Sequence, residues 1–235
     1  MTLPVAILAG GLATRLGTIT ETIPKALLEV AGKPFVVHQL DLLRAHGIRR
    51  VVLCIAHLAE QVEAALGDGR GLGIEIVYAH DGGKLLGTGG ALRQALPLLG
   101  DRFLVLYGDS YLTCDYADVA RAFDASGKRG LMTVFKNNGQ YDASNVVYRD
   151  HHIVRYDKTH KSAGMNHIDY GLGAFRAEAF AGYPAHERLD LATVYQDLIT
   201  KDDLAGYEVT ERFYEIGSPT GLEETRNLLA AKGNP

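Results

Sequence analysis

Four uniformly apolar stretches, each about the length of a strand, do most to limit what this chain can fold into. They are LPVAILA (residues 3–9), RVVLCIA (50–56), IEIVYA (74–79) and RFLVLY (102–107). None alternates polar with apolar residues, so none has a face suited to water, and the pattern predicts strands covered on both sides and lying centrally in a parallel sheet. Between them run amphipathic segments with ordinary helix boundaries: 34–47 opens on Pro34 and stops at Gly47, 57–67 stops at Gly67, and 89–100 stops at Gly100. Strand and helix in alternation make βαβ units, and the expected class is α/β.

Past residue 108 the rhythm changes. A helix over 115–126 is followed by GLMTVFK (130–136), NVVYR (145–149) and HIVRYDK (152–158), short strands spaced for antiparallel pairing, so the sheet is expected to become mixed. Helices at 190–201 and 218–232 flank ERFYEIG (211–217), the last with Ser218 as N-cap and Pro219 as its first residue. With no linker or repeat in between, residues 1–235 are expected to form one domain with halves at 1–108 and 109–235.

The chain has 47% hydrophobic and 22% charged residues, enough to bury a full core. Its formal charge of −4 provides no broad basic field, which disfavours nucleic acid as a partner while leaving room for a local anion site. Cys54 and Cys114 lack metal-ligand spacing and are expected as buried, reduced thiols, which favours a cytoplasmic setting. No apolar run approaches the length of a membrane span, and the N-terminus shows no basic leader. His151-His152 is expected as a polar turn, and neither a zinc pattern nor G-x-S-x-G occurs.

The first strand leads into AILAGGLATRL (6–16), where a glycine pair is followed by Arg15. The spacing fits neither the P-loop nor G-x-G-x-x-G, which removes the Walker-type and dinucleotide-binding readings. Backbone N–H groups near Gly10 and Gly11 can approach phosphate oxygens, Arg15 can grip them bidentately, and Lys25 adds a point charge. Downstream, YGDS puts Asp109 at the carboxyl end of a buried strand, the edge where open α/β sheets bind ligands. A carboxylate there suits Mg²⁺, which takes one or two carboxylates together with substrate phosphates, and Glu215 is the candidate second acid. The alternatives are a turn or cap role for Asp109 and a structural role for Glu215.

Gly10-Gly11-Leu12-Ala13-Thr14-Arg15-Leu16 followed by Pro24-Lys25 resembles the signature of the sugar-1-phosphate nucleotidyltransferases, with Ala13 where that family usually carries glycine. LLGTGGAL (85–92), YGDS (107–110) and YEIGSP (214–219) recur in the family's order, so the resemblance runs the length of the chain. It implies a Rossmann-like (GT-A-like) three-layer sandwich and Mg²⁺-dependent joining of a nucleoside triphosphate to a sugar 1-phosphate with release of pyrophosphate. It also implies nucleotide contacts from Leu8, Ala9, Gly10, Gly11, Ala13, Thr14, Gly87, Thr88 and Gly89, with Thr88 equally readable as a helix N-cap. Arg15, Lys25 and Asp109 would be catalytic, and Asp109 and Glu215 would hold the metal, although relatives more often place Asp or Asn at the second position. Asn145, Lys158, Asp169, Tyr170 and Gly171 fall where the family contacts the sugar, with turn roles open for Asn145 and Asp169.

Within that family the chain looks most like enzymes acting on heptose or hexose 1-phosphates, including a guanylyltransferase, while uridylyl and thymidylyl members share most of its motifs. Other classes stay open as well: a non-catalytic nucleotide-sugar-binding subunit, and guanylyl transfer to a pterin cofactor. The short tail after Glu215 is expected to leave no room for an appended acyltransferase domain.

Overall fold

The computed structural model describes residues 2–11 and 22–233. In chain order it contains β1 (Val5–Leu8), a 3-10 turn (Lys25–Leu27), β2 (Glu29–Val30), β3 (Lys33–Pro34), α1 (Phe35–Ala45), β4 (Arg50–Ile55) and α2 (Ala59–Leu66). Next come β5 (Glu75–His80), α3 (Gly87–Leu99), β6 (Arg102–Tyr107), β7 (Ser110–Leu112), α4 (Tyr116–Ser126) and β8 (Gly130–Lys136). The remainder is β9 (Val146–Arg149), β10 (His152–Tyr156), β11 (His167–Arg176), α5 (Leu191–Thr200), β12 (Leu204–Val209), β13 (Phe213–Glu215) and α6 (Pro219–Gly233).

Among the described residues the main sheet has the order β5-β4-β1-β6-β11-β8-β12-β10-β9. β5, β4, β1 and β6 are mutually parallel, β11 runs antiparallel to both β6 and β8, and β12 returns parallel to β8. The sheet is therefore mixed, as the change of rhythm after residue 108 predicts. One expectation needs correction: the run at 74–79 does not lie centrally but forms the sheet edge as β5. Only Ile76 and Ala79 of this strand are buried, one on each face, and the other four residues are exposed or half-exposed, as suits a strand without a second neighbour.

The centre is instead taken by β11, which with β12 has no counterpart in the sequence reading. Glycines conceal both strands. Gly171, at φ +99°, sits where the β11–β8 register shifts between Asp169 and Gly173, and a Cβ on Gly206 of β12 would lie 2.6 Å from the Tyr148 ring.

Alternate residues of each strand enter separate apolar clusters on the two faces. Ile7, Leu53 and Leu106 pack with Leu40 of α1, Val62 of α2 and Phe123 of α4. Ala6, Val52 and Val105 pack with Leu92 of α3 and Val194 of α5. Caps set the helix ends: Asp115 accepts from Ala117 N–H at 2.8 Å at the start of α4, and Asp190 accepts from Ala192 N–H at 2.8 Å at the start of α5. Ser218 Oγ accepts from Gly221 N–H at 3.0 Å in the first turn of α6, in keeping with its expected role as N-cap. No described helix is long and apolar enough to cross a membrane.

Candidate active site

β1 and β6 are adjacent and parallel, so their carboxyl ends open onto the same edge. Immediately beyond them Gly108 N–H donates to the Leu8 carbonyl at 3.1 Å, and a Cβ at 108 would overlap that carbonyl. Only glycine allows this approach, and the result is that Asp109 emerges beside the Leu8–Gly11 backbone. A cleft of about 600 Å³ begins here, lined by Leu8 to Gly11, Lys25, Tyr107, Gly108 and Asp109 at one end. Gly87, Thr88, Lys158 and Arg188 also line it.

Lys25 reaches Asp109 from the 3-10 turn that follows Pro24, which Ala26 anchors in the core. Its Nζ lies 2.7 Å from Asp109 Oδ2, with the two side chains 15% and 37% exposed, so the pair is held in place yet open to solvent on the carboxylate side. Among the described residues, Asp109 Oδ1 receives only the Ser110 hydroxyl, at 3.3 Å. Glu215 is brought to the same place: a Cβ on Gly217 would lie 2.7 Å from Glu215 Oε2, 3.1 Å from Asp109 Oδ2 and 3.1 Å from Lys25 Nζ.

The two acids differ in commitment. Glu215 Oε2 accepts from the Gly217 and Ser218 N–H groups and Oε1 from the Ser218 hydroxyl at 2.5 Å, so the carboxylate closes the start of α6. Asp109 is thus the acid with coordinating capacity to spare. The described residues contain no cluster of three or more potential metal-ligating side chains.

The glycine-rich stretch at 85–92 performs a different task from the one its composition suggests. Gly89 and Gly90 N–H both donate to the Leu189 carbonyl, at 2.9 and 3.1 Å, and a Cβ on Gly90 would lie 2.7 Å from the Glu187 carbonyl. These two glycines let the 187–190 segment lie directly on α3. Thr88 does not cap its own helix; its Oγ1 accepts from Leu191 N–H at 2.9 Å and donates to Asp190 Oδ1 at 3.3 Å, at the start of α5. Lys158 reaches the same oxygen at 3.4 Å. Burial pushes the Asp190 pKa up, but the Ala192 N–H together with Lys158 outweighs it and leaves the carboxyl below its usual range.

Of the five residues expected at the sugar, the structure brings Lys158 alone to the cleft wall. Asn145 Oδ1 accepts from Asp169 N–H at 2.9 Å, while Asp169 Oδ2 accepts from the Tyr107 and Tyr156 hydroxyls at 2.7 and 3.0 Å. Burial, with the Asp169 charge added, pushes both tyrosines well above their ordinary range. The expectation for Tyr170 is corrected: it alternates onto the opposite face, 2% exposed, with its ring beside Phe135 and Phe213. Gly171 packs against Ser110. The expected contacts from Ala13, Thr14 and Arg15 lie outside the described residues.

Sequence reasoning missed Asp190, Arg188 and Asp81. Asp190 was legible as an N-cap and Asp81, before Gly82-Gly83, as a turn residue; no signal in the sequence joined either to the cleft. Cys54 does line the cleft, but burial, with Asp81 nearby, pushes its thiol up to about 12.

The chain has counterparts among known proteins. Residues 5–145 match the family model described as nucleotidyl transferase. The chain is 31% identical over 229 residues to the N-acetylmuramate alpha-1-phosphate uridylyltransferase of Neisseria meningitidis, covering 96% of this chain and 97% of that protein. It is 27% identical over 213 residues to the D-glycero-alpha-D-manno-heptose 1-phosphate guanylyltransferase of Campylobacter jejuni, covering 91% and 94% respectively. Of other curated relatives, uridylyl and guanylyl alike, it spans 61–64% of the length. The solved structure of HddC from Yersinia pseudotuberculosis complexed with GMP-PN superposes with a TM-score of 0.80 at 22% identity, covering 97% of this chain and 100% of that one, a likeness of fold. The chain belongs to the nucleotidyl transferase family, and its α/β fold with a mixed sheet is of the GT-A-like kind those relatives share.

Proposed function

We propose that this chain transfers a nucleotidyl group from a nucleoside triphosphate to a sugar 1-phosphate, releasing pyrophosphate and forming a nucleoside diphosphate sugar. The observation that carries the reading is the Lys25–Asp109 pair, 2.7 Å apart, at the joint carboxyl edge of β1 and β6 beside the Gly10-Gly11 backbone. A sugar phosphate oxygen attacks the α-phosphorus, a new oxygen–phosphorus bond forms, and the bond to the β-phosphate oxygen breaks as pyrophosphate leaves. The requirement on the protein is alignment and charge compensation, as in other phosphoryl transfers.

Lys25 compensates charge on the reacting phosphates, and Arg15 is assigned to the departing pyrophosphate. Asp109 would hold Mg²⁺, which when bound supplies Lewis-acid neutralisation of the phosphate oxygens. Glu215 orders the adjacent backbone at the start of α6. Lys158, steadied by Asp190, is assigned to the sugar phosphate. The family names span uridylyl and guanylyl transfer, so the sugar panel is kept wide, heptose, hexose and N-acetylmuramate 1-phosphates included.

The test is pyrophosphate release with each nucleoside triphosphate against that panel in the presence of Mg²⁺. Turnover with at least one pair, lost in Lys25→Ala at saturating substrate, supports the reading. Wild-type turnover in Lys25→Ala would overturn the role given to that lysine, and nucleotide-sugar binding without any turnover would favour a regulatory subunit.

A further inference from the structure

The wall of the cleft formed by Leu8, Cys54, Leu85 and Ala91 is apolar apart from a single acid, Asp81. Asp81 directly follows β5 and is half buried, with its N–H on the Ile55 carbonyl at 3.2 Å. Its Oδ2 accepts from Leu86 N–H at 2.8 Å, which fixes the 82–86 turn that ends at α3. Oδ1 accepts no hydrogen bond and the carboxylate has no ion-pair partner among the described residues. Burial pushes its pKa up, against the opposing effect of the Leu86 N–H.

The structural duty of Asp81 needs one neutral acceptor, which asparagine would supply without a desolvated charge. A carboxylate retained in an apolar wall with a vacant oxygen is a cost that the fold does not recover, and such groups concentrate at binding sites. Leu85, 46% exposed, offers an apolar surface beside it on which a flat ring can rest.

We infer that Asp81 reads the base of the nucleotide and that the base is guanine. This rests on the nucleotidyl-transfer reading above. A carboxylate is an acceptor only, and it discriminates by what lies next to the donor it takes. Guanine presents N1–H and the 2-amino group side by side, two donors for one carboxylate. Uracil and thymine present N3–H between two carbonyl oxygens, so a carboxylate that takes that proton is pressed against two lone-pair-bearing atoms. Adenine and cytosine put a ring-nitrogen acceptor beside their amino group. Asp81 therefore attracts guanine and repels the others, the combination that produces specificity.

The experiment compares wild type with Asp81→Asn in pyrophosphate release across GTP, UTP, dTTP, CTP and ATP, with calorimetric binding of GTP and UTP alongside and thermal stability as control. The expected result is a wild-type preference for GTP of about tenfold or more, the scale of one good bidentate base contact. Asp81→Asn lowers kcat/KM for GTP by a similar factor through KM, narrows the gap to UTP, and leaves the melting temperature unchanged or higher. Wild-type preference for any other triphosphate overturns the inference, as does an equal loss on all five. Absence of pyrophosphate release with every pair defeats the nucleotidyl-transfer reading by itself. In that event the binding arm still decides for Asp81: tighter GTP binding lost in Asp81→Asn supports it, and equal binding of GTP and UTP overturns it.

Discussion

Two polar clusters flank the end of β6, and they are built on opposite terms. Asp169 sits among Tyr107, Tyr156, the Gly171 N–H and Asn145, with both carboxylate oxygens engaged by the protein itself. Asp109 holds one lysine and one hydroxyl at the rim of an open cleft. Among the described residues the first carboxylate accepts three hydrogen bonds, whereas the second accepts two and lies open to the cleft. A carboxylate's chemistry is thus read from what it has not yet bonded, more than from its place in a motif.

Substituting both acids separates these roles, and the largest effect is expected at the open one. Asp109→Asn should lower kcat by about 10²–10³-fold, the scale on which a pre-positioned charge acts. Loss of this partly buried ion pair, whose carboxylate is 37% exposed, should change stability by about 1 kcal/mol or less. Steady-state kinetics with urea unfolding would show the split; a fall in stability that accounts for the lost activity would erase the contrast.

The reverse holds at the closed cluster. Asp169→Ala strips the shared acceptor from Tyr107 and from Tyr156, which is 2% exposed, at a cost of about 1–3 kcal/mol since the two hydroxyls still have each other. Urea unfolding measures it. If stability were unchanged and only the KM for sugar phosphate rose, Asp169 would belong with Asp109 after all.

A similar contrast divides the glycines. A Cβ on Gly11 would meet nothing within 4 Å among the described residues, whereas one on Gly90 would lie 2.7 Å from the Glu187 carbonyl and 2.8 Å from Leu86 Cβ. Gly90→Ala should therefore cost about 1–3 kcal/mol as the 187–190 segment is pushed off α3. Gly11→Ala should leave the melting temperature alone, so any activity it loses reports on ligand approach. Equal melting temperatures for the two variants would remove the packing role given to the second glycine-rich stretch.

The difference between these stretches also explains what could be read from the sequence. The apolar runs and bounded helices of residues 3–107 rest on local periodicity, and α1 to α3 form where they are expected. Asp109 was expected at the site because strand ends and ligand edges coincide in open α/β sheets, and Lys25 because Pro24-Lys25 resembles the family signature. β11 was not: its position between β6 and β8 depends on partners about 70 and 37 residues away by register, and its Gly171 and Gly173 mimic a loop. Asn145 and Asp169 were expected at the sugar with turn roles left open, and nothing along the chain tells that Tyr107 and Tyr156 reach that carboxylate. Asp81 and Asp190 carry no motif of their own in the sequence, and the cleft they line or border is assembled by the packing of α3 against 187–190.

Asp190 supplies the smallest and most conditional effect, because it stands between the two kinds of cluster. It caps α5 through Ala192 N–H, yet it also holds Lys158 and Thr88 at the cleft, with 59% of its side chain exposed. Asp190→Asn keeps a good N-cap and removes the charge, so the stability difference from wild type should stay within about 1 kcal/mol at neutral pH. The folded pKa is depressed, so the carboxylate's contribution is fully present above its unfolded value of 3.8 and is lost as pH falls through the lower folded value. Wild type and Asp190→Asn should therefore differ by a constant amount above about pH 5 and converge in stronger acid. Urea midpoints measured from pH 7 to pH 2.5 follow this directly. A gap that instead widened in acid would mean that Asp190 binds its partners as the neutral acid, and the charge link from Thr88 to Lys158 would be lost with it.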